Sequence, residues 1–203
     1  MGLYPRQLED GTLVSEKEMV TSREHLYQVH RLISLSGQIS AETESTDLLL
    51  TLDSISHDPI KILITSPGGL LMGTFLFCDT FKLICAPVYT IGRFCASAAT
   101  LLLASGEPDK RFLFPSASIM LHLPSATLAG DSKDIHIQQS QIQKAQNAIV
   151  ALLQENGVKK SDEQIVEDID RDFWMTAQEA IDYGLADHIL SPEEMQKEVL
   201  NIQ

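Results

Sequence analysis

Three cysteines in 203 residues, Cys78, Cys85 and Cys95, are too few for a disulfide framework, and no two of them stand as Cys-x-x-Cys. All three fall in apolar stretches and read as reduced core thiols, which points to a reducing compartment. Basic residues are scarce as well: 15 Lys and Arg against 28 Asp and Glu give a formal net charge of −13. That excludes an extended nucleic-acid surface, which needs clustered cations for phosphate, and it argues against docking on anionic membranes. No apolar run approaches the roughly 20 residues of a membrane span. Met1 to Val20 lacks a basic stretch leading into an apolar one, so no secretory leader is expected. Internal repeats and low-complexity tracts are absent. The expectation is a cytoplasmic protein with one α/β domain.

What is present alternates between strand and helix. Residues 1–30, with prolines, glycines and mixed charges, read as a flexible N-terminal arm, 31–190 as the folded domain, and 191–203 as an acidic C-terminal tail. Strands are predicted at Leu32 to Ile39, Ile60 to Thr65, Pro87 to Phe94, Arg111 to Phe114, Ser118 to Leu123 and Asp187 to Leu190. Helices are predicted at Ala41 to Leu52 with Ser40 as cap, Leu70 to Leu83, Ala96 to Ser105, Asp131 to about Glu155, Ser161 to Asp168 and Thr176 to Tyr183. Glu163 and Glu179 stand where a capping box wants an acid. Such alternation is the pattern of β-α-β units.

Two strand-to-helix junctions carry the candidate chemistry. In Ser66-Pro67-Gly68-Gly69 the two glycines let bare N–H groups approach a ligand, although an ordinary turn reads the same way. In Gly92-Arg93-Phe94-Cys95-Ala96-Ser97-Ala98-Ala99 a serine opens a helix among small residues, leaving room for a carbonyl carbon to reach its hydroxyl. A plain N-cap serine looks the same. His122 stands alone in an apolar strand, and burial would demand a partner for each ring nitrogen. Asp172 lies where a charged run meets Phe173-Trp174-Met175. The six histidines are scattered, so no metal site is expected, and the chemistry requires no organic cofactor.

Taken together, Ser66-Pro67-Gly68-Gly69, Ala96-Ser97, Met120-Leu121-His122-Leu123-Pro124 and Asp170-Arg171-Asp172 resemble, in order and spacing, the proteolytic subunit of the Clp protease family (ClpP). Lys110-Arg111-Phe112, Gly130, Asp134-Ile135 and the segment Ala177 to Leu185 add to the likeness, which covers roughly 32–190. The resemblance implies a ClpP/crotonase-type α/β fold: a curved sheet core, packed helices and a protruding hairpin-and-helix handle at about 121–155. It implies a serine endopeptidase with Ser97 as nucleophile, His122 as base and Asp172 as the orienting carboxylate, the N–H groups of Gly68 and Ala98 forming the oxyanion hole. It further implies seven-membered rings stacked in pairs, with Asp170 and Arg171 at the contact between rings, and an AAA+ unfoldase that feeds in unfolded polypeptides.

The chain departs from the family at Ala98-Ala99, where a Met-Gly pair is usual, at Ser125-Ala126-Thr127-Leu128, usually glycine-rich, and in the N-terminal arm. Two alternatives stay open on sequence. One is a weakly active or structural paralogue sharing a mixed ring, and the other an acyl-CoA enzyme of the crotonase superfamily.

Overall fold

A computed structural model of the chain describes residues 26–27, 29–40, 44–124 and 127–195. Its centre is one six-stranded sheet. β1 (Leu32–Ser36), β2 (Ile60–Ser66), β3 (Val88–Ala96), β4 (Arg111–Leu121) and β5 (Phe173–Thr176) lie in that order, and β6 (His188–Ile189) joins β4. The first four are parallel neighbours. Parallel strands are covered on both faces, which is why β2 reads as a near-continuous apolar run with Ile60, Ile62 and Ile64 fully enclosed. β4 shares its far edge between two strands. β6 pairs in parallel with Phe112 and Leu113, and β5 runs antiparallel against Ser118 to Leu121.

Helices make the crossovers between the parallel strands: α1 (Glu44–Ile55), α2 (Leu71–Leu83) and α3 (Ala98–Ala104). All seven residues of α3 are buried, so this helix of alanines and leucines forms the middle of the core. The mixed α/β class expected from the sequence is the one observed.

Several boundaries differ, for physical reasons. The two strands predicted on either side of Pro115 are one strand, β4. Its pairing with β3 jumps from Gly92↔Leu113 to Phe94↔Ser118, so the surplus residues bulge and the ladder resumes beyond them. Pro115, which has no N–H to give, sits exposed in that bulge. α1 runs on to Ile55, three residues past its predicted end, while its predicted start at Ala41 lies outside the described residues. Of the predicted arm, only 26–27 and 29–30 are described; they are helical, and Leu26 and Tyr27 pack on the core.

α4 (Ser132–Glu155) opens with a reciprocal capping box between Asp131 and Asp134. Its C-terminal half buries Ile149, Val150, Leu152 and Leu153, whereas Ile135 and Ile137 near its start are exposed. Among the described residues no strand lies between Leu121 and Ser132. α5 (Asp162–Asp168) is capped by Ser161 with Gln164, not Glu163, as the reciprocal partner. α6 (Ala177–Tyr183) uses the expected Thr176–Glu179 box. The predicted tail begins with a short helix, α7 (Pro192–Glu194), and 196–203 lie outside the described residues.

One buried cation ties the helix ends together. Arg111 donates through Nε to Asp187 Oδ2 at 2.9 Å, and through Nη1 to the carbonyls of Asn156, Gly184 and Ala104. These carbonyls lie at the C-terminal ends of α4, α6 and α3, where no N–H of the helix itself remains to meet them. Among the described residues no helix is long and apolar enough to cross a membrane.

Candidate active site

Parallel strands deliver their chain ends to one edge of a sheet, and in open α/β sheets that edge is where sites form. β2 ends at Ser66 and passes into Gly68-Gly69, β3 ends at Ala96 and passes into Ser97, and β4 ends at Leu121 and passes into His122. The three are adjacent in the sheet, so three segments far apart in sequence converge.

Ser97 occupies the turn between β3 and α3 with φ 57° and ψ −124°, a conformation that residues with a side chain avoid at a cost of about 1–3 kcal/mol. Surrounding hydrogen bonds hold it there. Its N–H donates to the Met120 carbonyl at 2.8 Å, and the Thr100 N–H donates to the Ser97 carbonyl at 3.0 Å. The buried Thr100 hydroxyl lies 2.8 Å from the carbonyls of both Cys95 and Met120, bracing the turn against β4. A sharp strand–turn–helix of this kind exposes a nucleophile above the sheet. His122 Nε2 lies 2.7 Å from Ser97 Oγ, within reach to take the hydroxyl proton.

Gly68 faces the same turn at φ 94°. A Cβ at that position would stand 2.5 Å from the Ala96 carbonyl oxygen and 2.9 Å from Ser97 Cβ, so only glycine lets the two loops approach. The Gly68 N–H donates at 3.1 Å to Ser66 Oγ, a fully buried hydroxyl. Ala98 is the first residue of α3, and its N–H has no acceptor within the helix. Ala99, which carries a methyl where the family usually has glycine, is fully enclosed and packs within the core cluster.

Asp172 lies on the loop between α5 and β5, with Oδ1 3.7 Å from His122 Nδ1. It faces the correct ring nitrogen, but beyond hydrogen-bond distance, and its side chain is 61% exposed against 31% for His122. The Leu123 N–H donates to the Ile169 carbonyl at 2.9 Å and fastens the histidine segment to the end of α5. Asp170 and Arg171 pair with each other at 3.3 Å on the surface, with Arg171 89% exposed, and do not join the serine–histidine pair. Cys95 is buried two residues from Ser97, and burial pushes its thiol well above the ordinary range, which leaves no thiolate to act as a nucleophile.

Beside Ser97 opens a cavity of about 330 Å³, lined by Leu70, Leu71, Leu101, Leu121 and Ile149 together with His122. The site therefore brings together a hydroxyl, an imidazole within reach of it and an apolar recess. Sequence reasoning quoted Ser66 only as part of a turn and missed its hold on Gly68, and it missed the brace that Thr100 supplies. The available signal was a polar residue closing or following an apolar strand run, where a side chain has backbone groups to satisfy. It also missed Cys85, which is exposed, contrary to its apolar neighbours in sequence.

A family model described as Clp protease matches residues 15–193. Among curated proteins, the chain is 38% identical over 166 residues to the ATP-dependent Clp protease proteolytic subunit 2 of Corynebacterium glutamicum, covering 79% of this chain and 82% of that one. It is 35% identical over 192 residues to the ATP-dependent Clp protease proteolytic subunit 1 of Streptomyces avermitilis, covering 93% and 87%. A subunit 2 from Corynebacterium diphtheriae is 37% identical over 165 residues, covering 79% and 82%.

Proposed function

Since the chain belongs to the Clp protease family, we propose that Ser97, His122 and Asp172 are the working residues of its peptide-bond hydrolysis. The protein is a serine-type peptidase of the Clp type. The observation that carries the residue assignment is the 2.7 Å approach of His122 Nε2 to Ser97 Oγ at the sheet edge.

Ser97 Oγ attacks the scissile carbonyl carbon while His122 Nε2 takes the hydroxyl proton. The carbonyl oxygen becomes an alkoxide, stabilised by the N–H groups of Ala98 and Gly68. The Gly68 N–H serves by sharing itself between Ser66 Oγ and the incoming oxygen. As the tetrahedral centre collapses, His122 returns the proton to the leaving amine, and water then releases the acyl group by the same steps in reverse. Asp172 orients the ring through Nδ1–H and stabilises the imidazolium. The apolar recess takes an apolar side chain next to the bond that is cut.

The same reading includes assembly. Seven subunits form a ring and two rings stack through α4, enclosing the serines, with an AAA+ ATPase passing unfolded chains inward. The exposed isoleucines of α4, Ile135 and Ile137, support a partner on that helix. A cytoplasmic setting accords with free cysteines among the described residues.

Labelling with a fluorophosphonate, followed by peptide mapping, tests the nucleophile. The expected adduct is at Ser97 and is lost in Ser97→Ala; an adduct elsewhere, or a Ser97→Ala variant that retains activity, refutes the assignment. Sedimentation of the same samples tests the ring.

A further inference from the structure

Away from the serine site, the end of α1 and the loop between α2 and β3 bring together three donors of different kinds. Asp53 lies in the last turn of α1, His57 follows just past the helix, and Cys85 stands in the loop. One ligand atom from each lies within 4.8 Å of the others. From this convergence we propose that Asp53, His57 and Cys85 form a binding site for a borderline-soft divalent cation of the zinc class. The site is independent of the peptidase reading.

The donor set selects the metal. Thiolate, imidazole and carboxylate are the ligands zinc takes, whereas calcium and magnesium require an all-oxygen shell. Ligand–metal lengths of about 2.0–2.3 Å in a tetrahedron put the donors about 3.4–3.6 Å apart. Asp53 Oδ1 and His57 Nδ1 are already 3.0 Å apart. Closing the set needs a movement on the order of 1 Å, available to rotation about χ1 of an exposed cysteine.

The surroundings hold the site in place. Asp53 Oδ1 accepts from the N–H of Ala86 at 2.8 Å and of Cys85 at 3.2 Å, so the carboxylate is anchored to the loop that supplies the thiol. Arg31 donates to the carbonyls of Leu52, Ser56 and Asp58, at 3.0, 2.7 and 3.2 Å, and so pins the chain on both sides of His57. Cys85 has no disulfide available within the subunit, because Cys78 and Cys95 are buried.

On binding, His57 ligates through Nδ1 as the Nε2–H tautomer, so the proton that Nδ1 shares with Asp53 leaves that nitrogen. A neutral ring takes it up at Nε2 by exchange with solvent, and a charged ring releases it to solvent. The Cys85 thiol proton passes to solvent as the metal–sulfur bond forms. A fourth position stays open to water. The ion would cross-link residues 32 positions apart in sequence, Asp53 and Cys85.

Cobalt(II) titration of the full chain, with zinc(II) as competitor, decides the matter. One cobalt per subunit is expected, with a thiolate-to-cobalt band in the near ultraviolet and the visible bands of a tetrahedral ion, all displaced by zinc. Cys85→Ser should abolish the thiolate band, and His57→Ala should weaken binding by at least about tenfold, the range typical for disturbing a metal's shell. Cys78→Ser and His122→Ala should leave both intact, the latter separating this site from the serine site. Zinc should raise the melting temperature of the wild type and not that of Cys85→Ser. Absence of the band in the wild type, or its survival in Cys85→Ser, overturns the proposal. A band lost in Cys85→Ser but bound as tightly in His57→Ala also overturns it, since a lone thiol would then account for the metal.

Discussion

The two nitrogens of the His122 ring face different surroundings. Nε2 meets Ser97 at 2.7 Å, on a turn braced by adjoining strands of the sheet and by a buried helix. Nδ1 meets Asp172 at 3.7 Å, across a surface loop whose carboxylate is mostly in water. The first contact is made by the core of one subunit. The second is left to whatever covers the loop between α5 and β5. An imidazolium and a carboxylate 3.7 Å apart attract by only about 1 kcal/mol in water, but by about 4 kcal/mol at the effective dielectric of a protein interior. The difference corresponds to some two decades in rate, so under the proposed roles and assembly a partner that excluded water from this loop would raise the rate by that order.

The inner half of the site should dominate. Ser97→Ala is expected to reduce peptide turnover on the order of 10⁶-fold, whether the subunit is free or assembled, as in other serine triads. Turnover of a fluorogenic peptide at several protein concentrations measures it. A residual rate that depends on assembly would show that a group outside the core supplies the nucleophile, and the comparison would fail.

The outer half should depend on context. Asp172→Asn is expected to cost on the order of 10³–10⁴ in kcat within the assembled particle, because the ring is left in the wrong tautomer. In dissociated subunits, where water already weakens the pair, the same change should cost less than about tenfold. Equal losses in both states would mean that Asp172 is no better placed in the particle than alone.

The same division explains what the sequence discloses. Ser97, Gly68 and His122 each leave a mark, a strand–turn–helix with small residues and a lone histidine in an apolar strand. An N-cap serine, an ordinary turn and a core histidine read the same way, however, and the family likeness is what singles them out. Asp172 has only its place where a charged run meets Phe173-Trp174-Met175, which a solvated helix end shares, so it too depends on the family likeness. The hold of Ser66 on Gly68 is a backbone matter and has no spacing to read. β4 hides its continuity behind Pro115, because pairing with β3, not local preference, carries the strand through the bulge. Cys85 misleads for the opposite reason. Its neighbours are apolar, but the chain turns there and leaves the thiol outside.

Between the largest and smallest effects stands Arg171. In the single subunit it is 89% exposed and, among the described residues, pairs only with its neighbour Asp170, an arrangement worth at most about 1 kcal/mol. If rings meet over this loop, its truncation leaves carboxylates unpaired in every repeat. Arg171→Ala is therefore expected to shift the particle from double to single rings and to lower activity to the level of dissociated subunits. Analytical ultracentrifugation with parallel assays checks both. Single rings at full activity would separate assembly from the Asp172 contact and break the argument.

The smallest effect on catalysis belongs to an ion pair that the core has finished. Burial alone would push the Asp187 carboxyl up, but the hydrogen bonds and charge of Arg111 outweigh it and hold the group below its ordinary 3.8. A carboxyl that ionises more readily folded than unfolded binds fewer protons in the native state. Its contribution is thus complete above the ordinary carboxylate range and drains away as pH falls through the lowered folded value. Asp187→Asn leaves Arg111 buried and without a counter-charge at the ends of three helices, a loss of about 3–5 kcal/mol when one partner of a buried pair is removed. Denaturant unfolding should show that deficit at neutral pH. It should begin to narrow below about 4, where the carboxyl of the unfolded chain takes up a proton, and close only as pH falls through the lower folded value. The rate per folded subunit should change less than about twofold, since the pair lies at the start of β4 and the serine site at its end. A deficit that persists unchanged into acid would place the stabilising charge elsewhere, and a large drop in kcat would show that the two ends of β4 are coupled.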